Sequence, residues 1–136
     1  MLTLTYERTA RVLLASFSGI FSSDDLYDLD LASADIVLME GPVRSILDFT
    51  AVRTIAVPAT LLIQRGRQPQ IFSGQPSVIV ASQGEVHDLA RSYANLQRDF
   101  GNVEPLVVQS FDEALRAFHL KTPKFQPLLP GLRSIG

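Results

Sequence analysis

Few side chains in this chain have a type and spacing that chemistry could use. The stretch 46–63, ILDFTAVRTIAVPATLLI, holds an apolar run ending in Asp48, a short polar turn, and then the start of a helix. In α/β proteins, the loop leading from a strand's carboxyl end into a helix is where ligands and catalytic groups collect. An aspartate there equally fixes a turn by accepting hydrogen bonds from loop N–H groups. No second carboxylate or histidine stands near Asp48 in sequence, so turn fixing is the expectation for it. Arg53, Arg65 and Arg67 lie on or beside the helix at 57–68 and are candidate anion contacts, because a guanidinium matches carboxylate and phosphate geometry. Solvated surface arginines are the competing expectation.

His87 and His119 are the two histidines. His87 follows Val86 and falls beside the apolar stripe of its helix, as a boundary histidine does. His119 closes the last helix, where a protonated imidazole favours the negative helix end. There is no H-x-x-x-H or H-x-x-E-H pattern and no cysteine, which removes thiolate nucleophiles, disulfides and zinc–thiolate sites together. No metal and no cofactor are expected. G-x-G-x-x-G, G-x-x-x-x-G-K-[ST] and G-x-S-x-G are all missing. The lone Gly84 after SVIVAS reads as a helix-start glycine rather than a phosphate cradle. No serine or threonine has a matched base, so no catalytic set is legible.

These residues need elements to position them. LTLTYER (2–8) alternates with Leu2, Leu4 and Tyr6 on one face, and RVLLASFS (11–18) is β-compatible, which predicts an antiparallel hairpin. SSDDLYDLDLASADIVLME (22–40) predicts a helix with Leu26, Leu29, Ser33, Ile36 and Val37 inward, Asp24 and Asp25 in its first turn and the remaining acids outside. Gly41-Pro42 stops it. RSILDFT (44–50) reads as a central strand, and 57–68 as a helix with Pro58 at its first position. SVIVAS (77–82) and PLVVQS (105–110) read as buried strands. The helix at 85–102 has Val86, Leu89, Ala90, Tyr93, Leu96 and Phe100 in period. Ser110-Phe-Asp-Glu113 is a capping box opening the last helix. The order ββαβαβαβα predicts an α/β fold, a mixed sheet of about five strands with about four helices, in which an N-terminal antiparallel hairpin joins otherwise parallel strands. Residues 1–120 form one domain in this reading, and the proline-rich 121–136 an irregular apolar tail.

Composition narrows the function classes. In 136 residues, 46% are hydrophobic and 19% charged, an apolar excess that argues against disorder and for a covered surface. A net charge of −2, with the twelve Lys and Arg spread along the chain, gives no basic field for nucleic acid. No run is long enough to span a membrane and the first residues lack a secretory layout, so a cytoplasmic protein is expected. Phe125, Leu128, Leu129, Leu132 and Ile135 put many apolar groups in the tail, which predicts that it helps to form a homodimer.

The element order resembles the STAS superfamily, the fold of bacterial anti-sigma-factor antagonists, and above all its SpoIIAA-like stand-alone branch. The resemblance covers about residues 1–120 and rests on that order, on FSGIFSSDDL, on LDF at the third strand, and on SFDEAL at the last helix. It implies a non-enzymatic protein-interaction or regulatory module. In the signalling members, the loop after the third strand carries D-S-[ST]-G, whose serine is phosphorylated by a partner kinase. The equivalent positions here are Ala56, Val57, Pro58 and Ala59, without aspartate, hydroxyl or glycine. Thr60 is the nearest hydroxyl, so the switch is expected to be absent while the loop remains as a candidate interaction surface. A small-molecule binder that uses the strand-end loop at 50–60 for an anionic or lipid-like ligand is the alternative, and an unassigned hydrolase or lyase a third.

Overall fold

A computed structural model describes residues 1–82 and 84–128. The elements are β1 (Leu2–Glu7), β2 (Val12–Phe21), α1 (Ser23–Glu40), β3 (Arg44–Ile55), α2 (Ala59–Gly66), β4 (Ser77–Val80), α3 (Gly84–Phe100), β5 (Leu106–Val108), α4 (Phe111–Ala117) and β6 (Gln126–Pro127). They build a six-stranded sheet in the order β5-β4-β3-β2-β1-β6. β1 is antiparallel to β2 and to β6, and β2 through β5 are parallel. The fold is the mixed α/β sheet with four helices that the sequence pattern predicts, with one short edge strand added.

Topology decides where the helices lie. Each crossover from β2 to β5 steps one place in the same direction, and right-handed crossovers then put α1, α2 and α3 on one face. After β5 the chain must reach β6 at the far edge, and it crosses the other face as α4 and the segment behind it. The two cores follow. Val12, Ile46, Val78, Val80 and Val108 face α4, with Ala114 and Phe118 packed on them. Ala15, Phe17, Phe21, Leu26, Leu29 and Val57 form the core of the three-helix face. Phe17 and Phe49 stack with centroids 4.6 Å apart, and Phe21 meets both edge-on.

Several expectations are corrected. β3 runs to Ile55, so the joint before α2 is only 56–58, and Pro58 is the N-cap of α2 rather than its first residue. β3 pairs with β4 only as far as Asp48, opposite Val80. Beyond that, among the described residues, it pairs with β2 alone, through register shifts between Ser16 and Ser18 and between Gly19 and Ile20. Both shifts put the extra residue on β3, as bulges do. On α3 the inward face holds Val86, Leu89, Ala90, Tyr93 and Leu96 as expected, with Ala94 and Gln97 buried beside them, but Phe100 is 48% exposed. The tail is not irregular throughout: Gln126–Pro127 pairs with β1, at an edge where proline's missing N–H is tolerated.

Glu7 explains how the tail docks. It is 7% exposed, and its carboxylate accepts the N–H groups of Thr9, Ala10 and Lys124. Phe125 then packs near Phe111, and the Leu128 N–H donates to the Leu4 carbonyl at 3.0 Å. Phe125 and Leu128 therefore cover the chain's own sheet. Leu129, Leu132 and Ile135 lie outside the described residues.

Candidate functional site

The length of α2 governs the three-helix face. Its 8 residues extend about 12 Å, against about 27 Å for the 18 of α1 and about 25 Å for the 17 of α3. A short middle helix between two long ones leaves space at both of its ends. Toward the strands' carboxyl ends lies an apolar cavity of about 90 Å³, walled by Phe17, Phe21, Phe49, Leu62, Val86 and Ala90. Toward their amino ends lies a polar cavity of about 160 Å³, with Ser33, Ser45 and Ser77 and the glutamines of the 68–75 loop in its wall. Leu29, Leu47, Ile79, Arg65 and Tyr93 line both.

Arg65, Asp30 and Tyr93 form the polar partition. Arg65 on α2 donates two side-chain hydrogen bonds to Asp30 on α1, from Nη1 to Oδ2 at 2.8 Å and from Nη2 to Oδ1. Tyr93 on α3 interacts with the same guanidinium. Burial pulls the Arg65 pKa down, but the hydrogen bond and charge of Asp30, joined by Tyr93, outweigh it and raise it. Burial is also the main reason that the Tyr93 pKa is raised, with Asp30 adding to it and Arg65 opposing it. All three helices are thereby tied through one cation.

The contact between α2 and α3 is close because Gly66 has no side chain: a Cβ there would stand 2.8 Å from Leu96 Cβ. Below it, Gln97, 3% exposed, donates to the carbonyls of Gly66 at 2.8 Å and Gln68 at 3.2 Å. Gln70 holds the same loop, donating to Phe72 and Gln75 carbonyls and accepting the Val103 N–H.

The three candidate arginines do not converge as an anion patch. Arg65 is neutralised by Asp30, while Arg53 and Arg67 are exposed on β3 and behind α2. Asp48 turns back on its own strand, with Oδ1 accepting Thr50 N–H at 2.9 Å and Thr50 Oγ1–H at 2.8 Å. It braces the first β3 bulge. Val57 is buried at 6%, whereas Ala56, Pro58, Ala59 and Thr60 are exposed. His87 is half-buried, and His119 is exposed with φ 58°.

Among the described residues, no group of three or more His, Asp or Glu could hold a metal ion, and no helix is long and apolar enough to cross a membrane. Because the strand order does not reverse among β2 to β5, no switch-point crevice opens at their carboxyl ends. The two clefts lie under α2 instead. No family model matches the chain, and no curated protein matches it.

Proposed function

We propose that the chain is a non-enzymatic, STAS-like interaction module that docks a regulatory protein on the end of β3 and the start of α2. One observation carries this reading. Past Asp48, β3 continues to Ile55 with β2 as its only strand partner among the described residues, which leaves one strand edge open among them beside the exposed 58–60 turn. An unpaired edge is a template for a partner's strand, and two bulges hold it at a fixed angle. Ala56, Val57, Pro58 and Ala59 offer no phosphoacceptor like that of the signalling proteins that the order of elements resembles, and Thr60 falls beyond the matching positions, so docking here is read as constitutive. A photo-crosslinking residue at Ala56, with one at Arg116 on α4 as control, tests it in the producing cell. A discrete adduct from position 56 that vanishes on Ala59→Glu is expected. Identical patterns from both positions, or none, would sink the reading.

Self-association is the second part of this proposal. Tyr27, Leu31 and Leu38 are 65%, 50% and 85% exposed, at i, i+4 and i+11 along the outer face of α1. A helix that is apolar on both sides is one that expects cover. We place the homodimer contact there, and Leu38→Glu is expected to convert a dimer to a monomer in sedimentation equilibrium. A wild-type chain that stays monomeric at high micromolar concentration removes it.

A small-molecule site is the second reading of function, and the paired cavities under α2 favour it.

A further inference from the structure

We propose that the two cavities flanking Arg65 form one binding site for a small uncharged amphiphile, a ring-sized apolar body bearing a hydroxyl or amide group. This rests on the small-molecule reading and names its ligand class. The polar cavity carries hydroxyls that have no work within the fold. Ser33 on α1 is 3% exposed and Ser45 on β3 is 7% exposed, yet among the described residues neither side chain has a hydrogen-bond partner. Among the described residues no enclosed side-chain oxygen is left unsatisfied, so these hydroxyls open onto the cavity. Ser77 sits opposite Ser45 in register and lines the same space. Three hydroxyl rotors, each able to donate or accept, suit a neutral polar group.

Charge selects against an ion. Asp30 already engages Arg65 with both oxygens, so the two charges compensate and the pair offers no net charge to an anion or a cation. The apolar side sets the body of the ligand. Aromatic and aliphatic walls line about 90 Å³ beside the partition, less than the cavity of about 150 Å³ that holds benzene. A ring must therefore also use the shared space beside Leu29, Leu47 and Ile79. Half-buried Leu62, Val86 and Leu89 bring the site to the surface between α2 and α3.

The test compares p-cresol, toluene and p-toluate by NMR titration of the whole chain. The expected result is saturable p-cresol binding at least tenfold tighter than either comparator, with intermolecular NOEs from its ring to Phe49 and Val86. Ser33→Ala with Ser45→Ala is expected to erase the preference over toluene, and Ala90→Leu to fill the apolar end and block both. The NOEs read the wild type, so they stand even if a variant fails to fold. If p-toluate binds best, the ligand class is wrong while the small-molecule reading survives. If no probe produces NOEs in the site, the cavities hold only water and both fall.

Discussion

Gly66→Ala adds one methyl at the closest approach of α2 and α3. The new Cβ would lie 2.8 Å from Leu96 Cβ, 2.9 Å from Cδ1 and 3.4 Å from Cγ, where carbon pairs prefer roughly 3.5–4.0 Å. Leu96 Cδ1 can rotate away, but its Cβ is fixed to the α3 backbone, so the helices must separate. Separation strains the Gln97 hydrogen bonds to Gly66 and Gln68 and the link between Arg65 and Tyr93. Overpacking of this kind costs about 1–3 kcal/mol. Replacing glycine by alanine within a helix returns up to about 1 kcal/mol, and less at the helix's last residue. The net expectation is a loss of about 1–2 kcal/mol, or roughly 3–8 °C in Tm for a chain of this size. Urea melts followed by circular dichroism measure it, with the slope unchanged if only packing suffers. Leu96→Ala removes Cγ and Cδ1 but keeps the 2.8 Å contact, so the double variant should recover only part of the loss. A Gly66→Ala protein as stable as the parent, or losses that simply add, would refute the close crossing and the geometry of the cavities beside it.

Three further outcomes are expected. Tyr6 has its pKa pushed up to about 12, first by burial and then by its hydrogen bond to Glu40. The stability from a protonated Tyr6 is complete below pH 10 and is lost as pH rises toward 12, about 2–3 kcal/mol in all. Tyr6→Phe should flatten urea stability across that window, and an unchanged alkaline loss would count against the assignment. Glu7 is lowered, chiefly by the Lys124 N–H and against burial, so its stabilisation holds above the ordinary carboxylate range and fades as pH falls through its folded value. Amide shifts of Gln126 and Leu128 should therefore move together at acid pH, and should begin displaced at neutral pH in Glu7→Gln; shifts indifferent to both would show that the tail is held otherwise. Finally, Asp30→Leu alone strands a guanidinium whose side chain is 21% exposed and should cost on the order of 2 kcal/mol, while adding Arg65→Met should recover most of it. A double variant no better than the single in thermal melts would show that the pair itself stabilises.

Much of the fold was legible because strand and helix periods are local. The hairpin, the four helices and the parallel crossovers follow from alternation, caps and breakers in LTLTYER, SSDD and SFDE. The end of β3 was not, because a polar stretch read as a turn keeps its strand through pairing with β2, and bulges leave no local mark. Asp30 departs from the outer-face position that the acidic pattern of α1 predicts for it. It lies four residues after Leu26 and three before Ser33, which is inward spacing, and that signal was present. Its partner Arg65 is 35 residues away, a pairing that only the crossover brings about. Ser45 and Ser77 looked like ordinary strand-start residues. Their shared cavity depends on α2 being too short to cover them, which is a tertiary consequence of eight residues ending at Gly66.

The two readings of function use opposite sides of that same helix. The start of α2 is exposed at Ala59 and Thr60 and borders the open edge of β3, whereas Leu62 and Arg65 turn inward to the cavities. With 8 residues, α2 packs Leu61 and Leu62 against the core of its face, and among its residues only Gly66 is fully buried. Further holds set its position: Asp30 on one flank, Gln97 and Leu96 on the other, and the short 56–58 joint. A ligand under α2 and a protein on its first turn therefore act on a single short element. Any free energy by which one displaces α2 must appear, with equal size, in the affinity of the other. This is why the Gly66 and Asp30 variants, which loosen α2 without touching its exposed start, separate a docking surface that needs only the β3 edge from one that needs α2 in place.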